Sequence, residues 1–255
     1  MMFEIIICLI AGLGAGIGTG FAGMSAASII TPILFTFLKI PVYEAIGIAL
    51  ASDVLASAIS AYTYKKNDNI DIKNALVMLV AVLTFTVFGS YISRNVPNTG
   101  MSMGTTIAVF ILGIKFTISP ERKIKEKDVE DSESKKILKS ILSGIFVGSI
   151  CGFLGAGGGM MMLMVLTSVL GYNLKKAVGT SVFIMTFTAL TGAVSHFVIN
   201  GIHYVKVLVL CIIFTLIFAR IAAVIANKSS EKVMGRTVGI TLILLGVVVL
   251  ALNFA

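Results

Sequence analysis

Two glycine-rich stretches, residues 20–28 and 152–160, carry the backbone best suited to binding a ligand. The first reads Gly-Phe-Ala-Gly-Met-Ser-Ala-Ala-Ser and the second Gly-Phe-Leu-Gly-Ala-Gly-Gly-Gly-Met. After each turn a short apolar helix is predicted, beginning near Ala26 or Gly158. The first turn of a helix presents unpaired N–H groups and a partial positive charge, which together favour an anion. The pattern therefore predicts anion binding at both turns.

The predicted substrate contacts lie in these turns and at the start of the long segment that follows the second one. Ser25 offers a hydroxyl in the first turn, where the second turn offers only backbone amides. The hydroxyls at positions 180 and 181 either line the same oxyanion pocket or bond back to their own helix carbonyls. The full set is Gly23, Met24, Ser25, Gly155, Ala156, Gly157, Gly158, Gly159, Gly179, Thr180 and Ser181.

Other glycines near the turns recur at every fourth position, which is typical of close helix packing in a membrane. Packing is therefore predicted for Gly12, Gly16, Gly20, Gly144, Gly148 and Gly152.

Asp53 is the sharpest candidate for charge coupling, because it lies near the middle of an apolar segment. An ionisable group within a membrane span is costly and therefore suggests a function. Asp53 either carries a proton or a driving cation, or it is a structural acid paired with a hydroxyl such as that of Ser52 or Ser57. Its counterpart in the second half is Met185.

The residues of metal, nucleotide and redox chemistry do not form recognisable motifs. Cys8, Cys151 and Cys211 lie in apolar segments without metal-ligand spacing. The methionine run at 160–164 is interpreted as flexible packing, and no phosphate-binding loop of the GxxxxGK[ST] type occurs. We therefore expect no metal site, no cofactor and no enzymatic activity.

The composition places these residues in lipid. The chain has 255 residues, of which 57% are hydrophobic and 13% are charged, whereas soluble domains carry about 25% charged residues. Segments of about 20 apolar residues can span a membrane as helices, and their length excludes the short alternating strands of a barrel. An all-α polytopic membrane protein is predicted, with apolar segments at 3–20, 23–38, 42–64, 72–93, 101–119, 137–153, 158–170, 174–200, 204–226 and 232–254.

The chain also repeats itself. A displacement of 132 residues places the first GxxxGxxxGFxG motif, which begins at Gly12, on the second, which begins at Gly144, and it places Gly47 on Gly179 without a gap. We therefore predict a first transmembrane repeat at 1–119, a charged linker at 120–136 and a second repeat at 137–255. In each repeat the first two segments form a hairpin around the glycine turn, which crosses or re-enters the membrane.

Charge sets the predicted orientation. Of the 32 charged residues, 13 lie between positions 121 and 139, and most other lysines would share that face. Lysine and arginine favour cytoplasmic loops, so the linker is predicted to be cytoplasmic in the plasma membrane and both termini outside. An odd number of crossings in each half then makes the repeats inverted, as in many transporters. The formal net charge of +8 is interpreted as topology rather than nucleic-acid binding.

The sequence resembles a known family. The stretch GFLGAGGG, followed about twenty residues later by AVGTS, is similar to the signature of the TauE/SafE sulfite-exporter family. The resemblance implies a secondary permease for a small sulfur-containing anion, such as sulfite or an organosulfonate. Alternating access would then occur around a glycine-lined site near the midplane, with lipid and the anion as partners. The alternatives left open are a passive anion channel and assembly into a homo-oligomer.

Overall fold

A computed structural model describes residues 2–93, 114, 117–118, 133–154 and 158–254. Within these residues the protein is entirely helical and contains no strand, which confirms the predicted all-α class. Most of segment 101–119 and most of the linker lie outside the described residues. The helices are α1 Met2–Ala22, α2 Ala27–Leu38, α3 Val42–Lys65, α4 Ile72–Ser93, α5 Glu133–Leu154, α6 Gly158–Ser168, α7 Leu174–Asn200, α8 Val205–Lys228 and α9 Glu231–Phe254.

Helix length and apolarity agree with a multi-pass membrane protein. Among the described residues, α1, α3, α7 and α8 are each long and apolar enough to cross a bilayer. Their outer surfaces expose large apolar side chains such as Ile10, Ile213 and Val198. Lipid removes the cost that such a surface would carry in water. Helix α5 begins at Glu133, before the predicted 137, because lysine and glutamate are good helix formers that extend it beyond the apolar span.

Helices of the two halves pack on one another. Helix α1 lies along α8, α5 lies along α4, and α3 contacts both α7 and α8. A Cβ atom placed on Gly16 would lie 2.6 Å from the Phe218 Cβ and 2.7 Å from the Ala219 nitrogen. The prediction of close packing is confirmed for Gly12, Gly16, Gly20, Gly144 and Gly148, each of which faces a neighbouring helix.

The α3–α7 pair positions the candidate site. Both helices are lined with small or polar buried residues where they meet the hairpin α1–α2. Asp53, in the middle of α3, is only 1% exposed. The packing of α3 and α7 against the hairpin α1–α2 therefore brings the first glycine turn and a buried carboxylate to one place.

Candidate functional site

The first glycine turn is a tight reversal between α1 and α2. Gly23 has φ +59°, a left-handed conformation that favours glycine because it has no Cβ. The Met24 N–H donates to the Gly18 carbonyl at 3.2 Å, and the Thr19 hydroxyl donates to the Met24 carbonyl at 2.9 Å. These bonds hold the turn against the end of α1, and they fix where α2 begins.

The side chain of Asp53, from the middle of α3, reaches the N-terminus of α2. Its carboxylate accepts hydrogen bonds from the Ser25 hydroxyl at 2.7 Å and from the Ser57 hydroxyl at 2.8 Å. The Ala26 N–H also donates to it. A carboxylate at a helix N-terminus is favoured by the helix dipole and by the unpaired N–H groups. The N-terminus of α2, where the sequence predicted a bound anion, thus already holds an acid from α3.

The two serine partners of Asp53 come from different parts of the chain. Ser57 lies one helical turn away on α3, as one of the sequence-based alternatives expected. Ser52, the other expected partner, donates instead to the Ile48 carbonyl at 2.9 Å. Ser25 comes from the glycine turn, 28 residues away in the sequence. Asp53 therefore links the turn to α3, which no local pattern in the sequence indicates.

The second hairpin meets the first at Gly159. A Cβ atom placed there would lie 2.8 Å from both the Gly23 oxygen and the Ser25 nitrogen, and 2.7 Å from the Met185 sulfur. The Ser181 hydroxyl donates to the Gly23 carbonyl at 3.1 Å. The structure therefore brings the first turn, the start of α6 and the middle of α7 together.

The other predicted contacts differ in where they lie relative to this junction. Gly158 begins α6 beside this junction, and Met24 is fully buried beneath it. Gly155, Ala156 and Gly157 lie outside the described residues.

Gly179 and Thr180 face a different part of the protein. Gly179 packs directly against the Asn69 carbonyl and the Tyr64 side chain. The Thr180 hydroxyl accepts a hydrogen bond from the Asp71 N–H at 3.2 Å. Successive helix residues point about 100° apart, so Thr180 and its neighbour Ser181 contact different elements. The structure does not bring Thr180 into the junction of the two turns.

A polar cluster around Asp71 was not indicated by the sequence. The Tyr172 hydroxyl donates to the Asp71 carboxylate at 2.8 Å, and the Asn74 side chain donates to it at 2.9 Å. The Lys176 ammonium lies 3.7 Å away. Tyr172 and Lys176 are about 100 residues from Asp71 in the sequence, so only the fold brings them together with it. We call Asp71, Asn74, Tyr172, Lys176 and Thr180 the Asp71 cluster.

Protonation of Asp71 would weaken this cluster. Partial burial acts to raise the pKa of Asp71, but the hydrogen bonds from Asn74 and Tyr172 and the charge of Lys176 outweigh it. The pKa of Asp71 in the folded protein therefore lies below the ordinary value of an aspartate. The ionised Asp71 carboxylate therefore stabilises the folded protein above the pKa that it has in the unfolded chain. This stabilisation is lost as the pH falls through the lower pKa of the folded state.

An Asp71→Asn variant tests this pH dependence. At neutral pH we expect its Tm in detergent to be lower than that of the unaltered protein by about 3 to 6 °C, the effect of one hydrogen bond to a charged group in a chain of this size. The difference should shrink as the pH is lowered through 4. The matched control is Asp68→Asn, an exposed acid of the same loop. A difference in Tm that stays constant from pH 7 to pH 3 would contradict the assignment.

Ligands for a metal ion do not cluster in the described part of the chain. No three histidine, cysteine or acidic residues come close enough there to hold one. Cys8 and Cys211 are buried free thiols. The chemistry of the described junction is that of backbone groups, hydroxyls and one carboxylate.

Comparison with known proteins adds to this geometry. A family model described as "Sulfite exporter TauE/SafE" matches residues 8–249. The chain is 23% identical over 235 residues to "Probable membrane transporter protein YdhB" of Bacillus subtilis (strain 168), covering 92% of this chain and 96% of that one. It is 30% identical over 210 residues to a "Probable membrane transporter protein" of Haemophilus influenzae, covering 79% and 76%. No solved structure matches significantly.

Proposed function

The chain belongs to the sulfite exporter TauE/SafE family, and from this membership we propose that it is a secondary transporter for a small sulfur-containing anion, such as sulfite or an organosulfonate. The relatives are named as probable membrane transporters, so a transporter rather than an enzyme is the function that the comparisons support. The finer proposal concerns the substrate, its site and the coupling ion.

The observation that carries the proposal is the contact of Gly159, at the start of α6, with the first glycine turn beside a buried carboxylate. Gly159 adjoins the backbone of Gly23 and Ser25, and Asp53 bonds to Ser25. Irregular backbone at membrane depth is tolerated where it faces protein or a water-filled cavity. A junction of this kind is well suited to a small anion that needs N–H donors rather than a lysine or an arginine.

The two helix starts at the junction are not equivalent. The N-terminus of α2 already holds the Asp53 carboxylate, whereas α6 begins with Gly158 and Gly159. We therefore place the anion on the α6 side, with Ser181 beside it and with Gly155, Ala156 and Gly157 as further predicted contacts. A carboxylate repels an anion, and this favours the end of the junction that lacks one.

Asp53 is proposed as the group that couples transport to a proton or cation. When Asp53 takes up a proton, the negative charge at the start of α2 disappears, and the positive end of that helix becomes free to stabilise the transported anion. Proton and anion would then bind together, because each lowers the electrostatic cost of the other. The alternative is a structural acid that only fixes the turn.

The helix pairing supports an inverted-repeat transport mechanism. The first helix of each half packs on the fourth helix of the other half, as α1 with α8 and α5 with α4. An exchange of this kind is what two halves related by a pseudo-two-fold axis would produce. Lys175 and Lys176 lie at the same end as the loop 66–71, which supports a cytoplasmic position for that end and for the linker.

Flux measurements on reconstituted vesicles test the proposed substrate class. We expect uptake of labelled sulfite or of a small sulfonate to saturate with concentration, because a transporter has a limited number of binding sites. Protein-free vesicles are the control for leakage, and acetate is the control for a small anion without sulfur. Flux that rises linearly with concentration would contradict a transporter and would support the passive channel.

A further inference from the structure

A cleft opens at the end of the α3–α7 pair that lies away from the Asp71 cluster. It is lined by the start of α3, the end of α7 and the connection to α8, and both histidines of the chain line it. The lining includes Tyr43, Glu44, His196, Phe197, His203 and Tyr204.

At the inner wall of this cleft, Gly47 of α3 lets α7 approach closely. A Cβ atom placed on Gly47 would lie 3.3 Å from both the His196 Cβ and the Phe197 ring. The Tyr43 ring lies 4.2 Å from the imidazole of His196, measured between centroids. Ile48, also in the lining, precedes Asp53 by five residues, which is about 7.5 Å along a helix. The lining of the cleft thus ends within about two helical turns of Asp53 along α3.

The opposite end of the same helix pair is closed. The 132-residue displacement places Gly47 on Gly179 and His196 on Tyr64, so equivalent residues lie at both ends. Tyr64 is fully buried, and its hydroxyl donates to the Gly20 carbonyl at 2.9 Å. Gly179 packs directly against the Asn69 carbonyl.

Polar bonds reinforce this closed end. The Asp71 cluster ties the loop 66–71 to α7 through Thr180 and Lys176. The Asn69 amide also donates to the Asn227 side chain at 2.8 Å, which fastens the loop to α8. Three elements therefore converge at the end where the cleft's counterpart would lie.

We propose that the cleft is the mouth through which the small anion enters from outside, and that the Asp71 cluster is the seal that closes the path on the cytoplasmic side. This inference rests on the proposed function. The imidazole and phenol groups of the mouth can donate hydrogen bonds to an oxyanion, and Glu44 is the one acid of the lining. Alternating access requires a state in which one end of the path is open while the equivalent end is closed, and the cleft and the Asp71 cluster would form such a pair.

Single-cysteine labelling tests the mouth and the seal separately. In a background without native cysteines, a membrane-impermeant thiol reagent is applied to either side of vesicles that carry His196→Cys or Thr180→Cys. We expect His196→Cys to react from outside only. Thr180→Cys should react from neither side, whereas Ser230→Cys, at an exposed position near the closed end, should react from the cytoplasmic side.

Breaking the seal should then change both rates in opposite directions. Adding Asp71→Asn is expected to raise the labelling of Thr180→Cys from the cytoplasmic side about tenfold and to slow that of His196→Cys, since a bond to a charged group can shift an opening equilibrium by such a factor. Asp68→Asn is the matched control. Tyr172→Phe, which removes one bond to Asp71 without changing charge, guards against a variant that fails to fold.

Three results would overturn the assignment. Thr180→Cys reacting as fast as Ser230→Cys while Asp71 and its other partners are unaltered would show that this end is open. Labelling of Thr180→Cys from the cytoplasmic side as fast as that of His196→Cys from outside, with Asp71 unaltered, would show that both ends are open alike. Equal effects of Asp71→Asn and Asp68→Asn on the labelling rates would show that the Asp71 cluster is not the seal. Because labelling needs no transported anion, a failed flux assay with this labelling pattern intact would refute the proposed substrate and leave the mouth and the seal in place.

Discussion

An Asp53→Asn variant is expected to lose the pH-driven accumulation of the anion while it keeps the exchange of anion across the membrane without a gradient. One pH unit supplies about 1.4 kcal/mol for each coupled proton, enough for about a tenfold anion gradient. The unaltered protein should approach that ratio, and the variant should stay near one. The measurement is the steady-state accumulation of labelled anion in vesicles with an imposed pH gradient, followed by counterflow in the same vesicles.

The amide of asparagine preserves the size of the side chain, and its oxygen can still accept from one of the two serines, while its NH2 group can donate to the hydroxyl oxygen of the other. It cannot take up a proton or carry the charge that the start of α2 attracts. Asp68→Asn, at an exposed loop position, is the control for a general effect of removing an acid. If accumulation in Asp53→Asn equals that of the unaltered protein, the carboxylate is a structural acid and the coupling group lies elsewhere.

Gly159→Ala is expected to reduce anion transport to the level of empty vesicles. The added methyl group would lie 2.8 Å from the Gly23 oxygen and from the Ser25 nitrogen, both of which are backbone atoms that cannot rotate away. The two turns must therefore separate, and the proposed site loses its geometry. Transport is measured as labelled uptake, and binding is measured as the rise in Tm that the anion produces in purified protein.

Gly18→Ala is the matched control for this substitution. Its methyl group would lie 3.3 Å from the end of the flexible Ile29 side chain, so a small shift accommodates it. We expect normal uptake and a normal anion-dependent rise in Tm for this variant. Uptake by Gly159→Ala at the rate of Gly18→Ala, with both proteins equally expressed, would show that the junction of the turns is not the binding site.

Local patterns in the sequence predicted the elements of this protein well. Hydrophobic length indicated the helices, because a membrane span needs a continuous apolar stretch whatever its neighbours are. Glycine spacing indicated close packing, because only small residues let helix backbones approach in lipid. Asp53 was selected as a candidate functional residue for the same kind of reason, since a charge inside an apolar segment is costly in any fold. The resemblance to the family rested on two short motifs that lie close together in the sequence, and the family model confirmed it.

Contacts across the chain were decided by the tertiary structure alone. The pairing of Asp53 with Ser25, the separation of Thr180 from Ser181 and the meeting of Asp71 with Tyr172 all depend on how helices are rotated and offset against one another. A helix turns about 100° for each residue, so a small change in packing sends a side chain to a different neighbour. The sequence by itself determined which residues lie in helices and which turns are rich in glycine. The packing of those helices decided that an acid from α3 occupies one helix start, and it left the other start as the proposed place for the anion.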